Sequence, residues 1–186
     1  MGLTRQVVAD GAKVELDVCS GKVYCSFAQS FQAGKVSPGY LARRWRFEQR
    51  SVVYKASYSK IDLIVALFGI TKAHLKLIHL GFGELMAWAA PPLARSGRDG
   101  SLRIAARITA LFALRPLLPW QTECLEVAAL ITRWYRCSGL PAKLVIGVRT
   151  TPFSMHAWCE VKSDVVSDAS DVRKFYTVLY QAPDDP

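Results

Sequence analysis

Three residues able to do covalent chemistry together fall in the last third of the chain: Cys124, His156 and Asp168, each in a different local setting. Cys124 opens the run CLEVAALITRWYRCSGL, whose apolar residues recur at helical period until Gly139 and Pro141 stop them. With Pro119 upstream and Thr122 as the expected N-cap, the thiol falls in the first helical turn. Unpaired amides and the positive end of the helix dipole favour thiolate there, so its pKa is expected below the free value of about 8.5. Cys137 sits near the other end of the same helix, where the dipole acts in the opposite sense, and is a poor nucleophile. Against this stands the plain reading of Cys124 as a small hydrophobe packed under a helix start.

His156 lies in RTTPFSMHAWCEVKSDVVSDASD, residues 149–171. HAWCEVK and VVSDAS are expected to be the strands of a hairpin, with TTPFSM as the loop before them. On the first strand His156, Trp158 and Glu160 share a face and Cys159 points the other way, so Cys159 cannot partner His156. A lone histidine on an apolar strand is ordinarily a buried core residue. Asp168 reaches the face of His156 only through an odd-numbered connection: a two-residue turn at Ser163-Asp164 puts it opposite Cys159, a three-residue loop from Lys162 to Asp164 puts it opposite Trp158. The three-residue loop is the expected one, because the other register buries an ionised carboxylate without a partner.

These residues need a framework. KLVIGVR, residues 143–149, is apolar on both faces and predicts a buried strand. From Ser59 to Trp88 apolar residues recur at helical spacing, with Gly69, Gly81 and Gly83 as possible breaks and Pro91-Pro92 as the end. Ser101 is expected to cap a helix running to Leu114, before Pro116 and Pro119. Near the N-terminus AKVELDVCSGKVYCSF alternates. A two-residue turn at Ser20-Gly21 sets Val18 opposite Val23, Leu16 opposite Cys25 and Val14 opposite Phe27, with one apolar face. In that register Cys19 and Cys25 are not cross-strand partners. QAGKVSPGYLARRW then supplies turn residues Gly34, Pro38 and Gly39 and is read as a linker.

Composition narrows the function classes. A chain of 186 residues suits one ordinary domain with a small appendage. Five cysteines with no apolar leader in Met1 to Val8 suit a reducing, cytoplasmic setting rather than a disulfide framework. The formal charge of +9 and the cluster Arg43, Arg44, Arg46, Arg50 around Trp45 invite a nucleic-acid reading. No zinc knuckle, P-loop or RNA-binding motif accompanies them, and a solvated surface is preferred. The uncharged stretch Leu63 to Thr71, closed by Asp62 and Lys72, is far short of the roughly 18 residues of a membrane span. His74, His79 and His156 have no zinc-ligand spacing; His74 and His79 are expected on a helix surface, and no metal or cofactor is called for.

Taken together, Cys124 with LEVAALITRW, then GLPAKLVIGVRTTPF, HAWCEV and VVSDAS resemble the B proteins of lasso-peptide biosynthesis, leader peptidases of the transglutaminase-like cysteine protease type. The resemblance covers roughly Trp120 to Tyr180. It implies an α+β, papain-like fold with a helical bundle packed on a small antiparallel sheet, and a Cys124, His156, Asp168 triad that removes a leader peptide. It implies as partners the precursor peptide and an ATP-dependent asparagine-synthetase-like lasso cyclase. Cys159 stands where an aliphatic residue is usual and is expected to be neutral packing. The N-terminal hairpin resembles the strands of an abbreviated RiPP recognition element, giving expected domains at 1–50 and 51–186. It binds leader by strand addition or merely covers the peptidase core. Two rival functions use the same residues: acyl transfer to an amine, and a non-catalytic basic binding module in which the trio is structural.

Overall fold

The structure is a computed structural model, and it describes residues 4–9, 12–27, 56–94, 100–150 and 153–183. The linker, the arginine cluster around Trp45 and the domain boundary at residue 50 lie outside them. A three-stranded antiparallel meander comes first: β1 (Thr4–Ala9), β2 (Ala12–Asp17) and β3 (Val23–Phe27). Four helices follow, α1 (Lys60–Leu80), α2 (Phe82–Ala89), α3 (Gly100–Leu114) and α4 (Cys124–Cys137). A second antiparallel sheet is built from β4 (Ala142–Thr150), β5 (Phe153–Val161), β6 (Asp164–Val165) and β7 (Thr177–Ala182), in the order β6-β5-β4-β7. This is the expected α+β arrangement. Among the described residues no helix is long and apolar enough to cross a membrane.

The N-terminal segment differs from expectation in two ways. Thr4 to Ala9 is a strand, so the expected hairpin is a meander; its polar first half hid the alternation. The second hairpin pairs Leu16 with Val23, Val14 with Cys25 and Ala12 with Phe27, two residues away from the expected register. The cause is local. The Asp17 side chain accepts from Cys19 N (3.0 Å) and Ser20 Oγ (2.6 Å), and Gly21 N donates to Asp17 O (2.7 Å), so the turn spans residues 18–21. A shift of two keeps every side chain on its expected face, and Val14, Leu16 and Val18 are buried.

Helix α1 starts at Ser59 through a capping box with Asp62 and passes unbroken through Gly69. The break comes at Gly81, whose φ of 87° suits glycine, and α2 begins at the next residue. α3 starts at Gly100, so Ser101 lies inside the helix rather than capping it. α4 packs on β4 and β5, and two apolar clusters form the core. One joins Val14 and Leu16 of the meander to Leu85, Ala128, Ile146 and Met155; the other joins α1 and α3 to α4 and Cys159. Sharing the first cluster fixes the meander against the sheet that carries His156. At about 25 cal/mol per Å2 of apolar surface, burying one leucine such as Leu16 contributes roughly 1.5–3 kcal/mol.

Candidate active site

Cys124 is the first residue of α4, but Thr122 is not its cap. Arg115 takes the Thr122 hydroxyl (Nε to Oγ1, 2.8 Å) and carbonyl (3.1 Å), and capping passes to Glu123. The Glu123 side chain accepts from the Glu126 amide, and Glu126 Oε2 accepts from Glu123 N at 3.0 Å, a reciprocal box. The other oxygen, Glu126 Oε1, lies 2.7 Å from His74 Nδ1, and the His74 ring stacks on Trp120 at 5.1 Å. His74 is thus half-buried and tied to the helix that carries Cys124, not on an open helix surface; His79 is exposed as expected. Glu126 itself is 1% exposed. Such a carboxylate is stable only with partners, and it has one on each oxygen.

The expected lowering of the Cys124 pKa is overturned. Burial pushes the thiol up to about 12, outweighing the amide hydrogen bonds it accepts from Ala157 and Leu125 and the pull of Arg115; the Glu123 carboxylate adds to the rise. Glu123 is itself raised, first by burial and then by Glu126. The helix start acts in the expected direction, but desolvation wins. Cys124 is therefore a neutral thiol at neutral pH.

His156 occupies the middle of β5, opposite Gly147 on β4, and is buried. Its ring lies 5.8 Å from Trp158 and 5.3 Å from Tyr176, which flank it on the same face. Nε2 is 2.5 Å from Asp168 Oδ2, and Asp168 Oδ1 accepts from Ala169 N at 2.6 Å. The expected meeting of His156 and Asp168 occurs, by a route that differs from the three-residue loop. Glu160 pairs with Val165 and Val161 with Asp164, leaving a two-residue turn of Lys162 (φ 51°) and Ser163 (φ 73°). VVSDAS is a strand only at its first residue, since β6 ends at Val165. Val166 N still donates to Cys159 O, after which the Ser167 hydroxyl accepts from Cys159 N at 2.7 Å and the chain leaves the ladder. Face parity no longer binds Asp168 once it is off the strand. The loop before His156 is also shorter than expected: β4 and β5 pair up to Thr150 and Phe153.

Cys124 and His156 open onto one cleft of about 260 Å3. Leu125, Ile146, Met155 and Ala157 line it together with Glu123, the α1–α2 junction and the β2–β3 turn. Cys159 faces away and is fully buried in the helical core, as its strand parity requires. Trp158 and Arg173 both hydrogen-bond the buried Glu160, which anchors the far end of β5. Cys137 and Cys19 are exposed thiols and neither lines the cleft. Sequence reasoning missed Glu126, His74 and Gly147. Glu126 had no standard local signal: a capping box is announced by Ser, Thr, Asp or Asn at the cap, and here the cap is Glu123. The His74 partnership spans 52 positions and leaves no local trace.

The sequence profile of the transglutaminase-like superfamily matches residues 70–181, which contain all three residues of the trio. The chain is 28% identical over 165 residues to the microcin J25-processing protein McjB of Escherichia coli, covering 82% of this chain and 75% of that protein. No solved structure matches at a significant level. The resemblance to the B proteins of lasso-peptide biosynthesis is therefore met, and the chain belongs to the transglutaminase-like superfamily.

Proposed function

We propose that this protein is a cysteine peptidase that hydrolyses the leader from a ribosomally made lasso-peptide precursor, with Cys124 as nucleophile, His156 as proton carrier and Asp168 as its orienting group. The observation that carries the proposal is the convergence of Cys124 and the His156–Asp168 pair on one cleft. With Nε2 held by Asp168, the proton exchange with the thiol falls to Nδ1. Because the resting thiol is neutral, its proton passes to Nδ1 as the sulfur attacks the scissile carbonyl. The Ala157 and Leu125 amides already directed at the sulfur stabilise the developing thiolate.

The tetrahedral oxyanion is taken by the Cys124 amide, which at the first helical position has no intrahelical acceptor. Imidazolium, stabilised by Asp168, then protonates the leaving amine, and water admitted to the cleft hydrolyses the thioester through the same base. The partners are the precursor peptide and the lasso cyclase, and the setting is the cytoplasm. Incubating the chain with its precursor and an excess of a primary amine tests the choice of acceptor. The reading expects fragments whose masses sum to precursor plus water. Accumulation of amine-capped fragments would instead make the protein an acyl transferase.

A further inference from the structure

The meander's turn takes part in the cleft. Leu16, Ser20 and Gly21 line it together with Leu77 and Phe82 from the α1–α2 junction, on the same cleft as Cys124. This wall is built rather than incidental. Gly21 has φ 69°, and a Cβ there would lie 2.6 Å from Phe82 Cβ, so only glycine lets the turn approach α2 this closely. Asp17 holds the turn through Cys19 N and Ser20 Oγ. Behind it, Leu16 is 1% exposed and belongs to the cluster shared with Met155 and Ile146. A wall fixed at three points keeps its shape when a peptide enters.

Ser20 is the one polar side chain of this wall; Glu123 and His156 line the cleft beside Cys124. The cleft is smaller than the roughly 300–1,000 Å3 of a pocket for a whole small molecule, and suits one or two side chains. Resting on the peptidase reading, we infer that the β2–β3 turn, with Leu77 and Phe82, forms a specificity subsite that holds an apolar side chain of the substrate beside the bond attacked by Cys124. The N-terminal sheet thus selects the residue at the cut, whatever it does with the rest of the peptide.

The test uses the full chain and two electrophiles, iodoacetamide and N-benzyl iodoacetamide, with modification read at Cys124 by peptide mass mapping so that Cys19 and Cys137 do not interfere. The wild-type protein should react with the benzyl reagent at least about tenfold faster than with iodoacetamide, relative to the same pair on free cysteine. Ser20→Trp, which fills the subsite from an exposed turn position, should abolish that preference. Lys22→Trp puts the same bulk just past the turn, at a residue that does not line the cleft, and should keep it. A wild-type protein without the preference, a Ser20→Trp variant that retains it, or equal loss in both variants would overturn the subsite. Alkylation requires no peptide cleavage, so a chain that shows the preference but never cuts its precursor would sink only the peptidase reading.

Discussion

Replacing Asp168 with asparagine should cost far more than the loss of one hydrogen bond, and the reason lies in which oxygen does what. Oδ1 accepts the Ala169 amide at 2.6 Å while Oδ2 meets His156 Nε2 at 2.5 Å. An asparagine that keeps the Ala169 bond must place its carbonyl there and turn its NH2 toward Nε2. Two donors cannot face each other, so the ring gives up its Nε2 proton and carries it on Nδ1, the nitrogen proposed to accept the Cys124 proton. The variant then holds the wrong tautomer and cannot stabilise imidazolium. The expected loss is about 10^3 to 10^4-fold in kcat, or about 4–5.5 kcal/mol of barrier. Folding stability should fall by only about 1.5–3 kcal/mol, the worth of a charge-assisted bond. Single-turnover cleavage with a denaturant melt on the same sample separates the two effects. Asp164→Asn, at the exposed start of β6, is the control and should cleave like wild type. A folded Asp168→Asn protein within about tenfold of the wild-type rate would refute this reasoning.

Other consequences are equally specific. With the Cys124 thiol pushed up to about 12, its thiolate fraction rises tenfold per pH unit through the neutral range, so alkylation at Cys124 should show no plateau below about pH 10; a plateau near pH 8 would mean a resting ion pair with His156. Gly147→Ala should destabilise by about 1–3 kcal/mol in chemical denaturation and also slow cleavage, because its Cβ would lie 2.7 Å from the Trp158 ring and 2.8 Å from Tyr176 Cβ, the residues that flank His156. Wild-type stability in that variant would show the strand to be looser than its packing indicates. Glu126→Ala and His74→Ala should each destabilise by about 1–3 kcal/mol, with the double variant costing less than the sum of the two; strict additivity would deny their coupling.

Elements with strong periodicity were legible in the sequence. The helix of Cys124 and the strand of LVIGVR lie where the pattern predicts them, and strand parity correctly sends Cys159 to the helical core and His156 to the other face. Turns were harder, because their geometry hangs on single side chains. Asp17 lengthens the β2–β3 turn through hydrogen bonds that alternation does not reveal. Lys162 and Ser163 adopt positive φ without the Asn or Gly that usually announces such a turn. Strand β1 was missed although Asp10-Gly11, the dipeptide between it and β2, is a strong hairpin signal. For the candidate site, residue types and the helix start were readable, whereas the desolvation of the thiol was not, since the residues that share its cleft come from distant parts of the chain.

The role of Cys124 is tested most directly by single-turnover cleavage of a lasso-peptide precursor substrate, followed by intact mass for the wild type, Cys124→Ala, His156→Ala and the double variant. The proposed chemistry predicts two fragments summing to precursor plus one water with the wild type, and no cleavage above background with any variant. The double variant should be no slower than either single one, because the two residues act as a unit. Cleavage by folded Cys124→Ala at a rate comparable to wild type would contradict it.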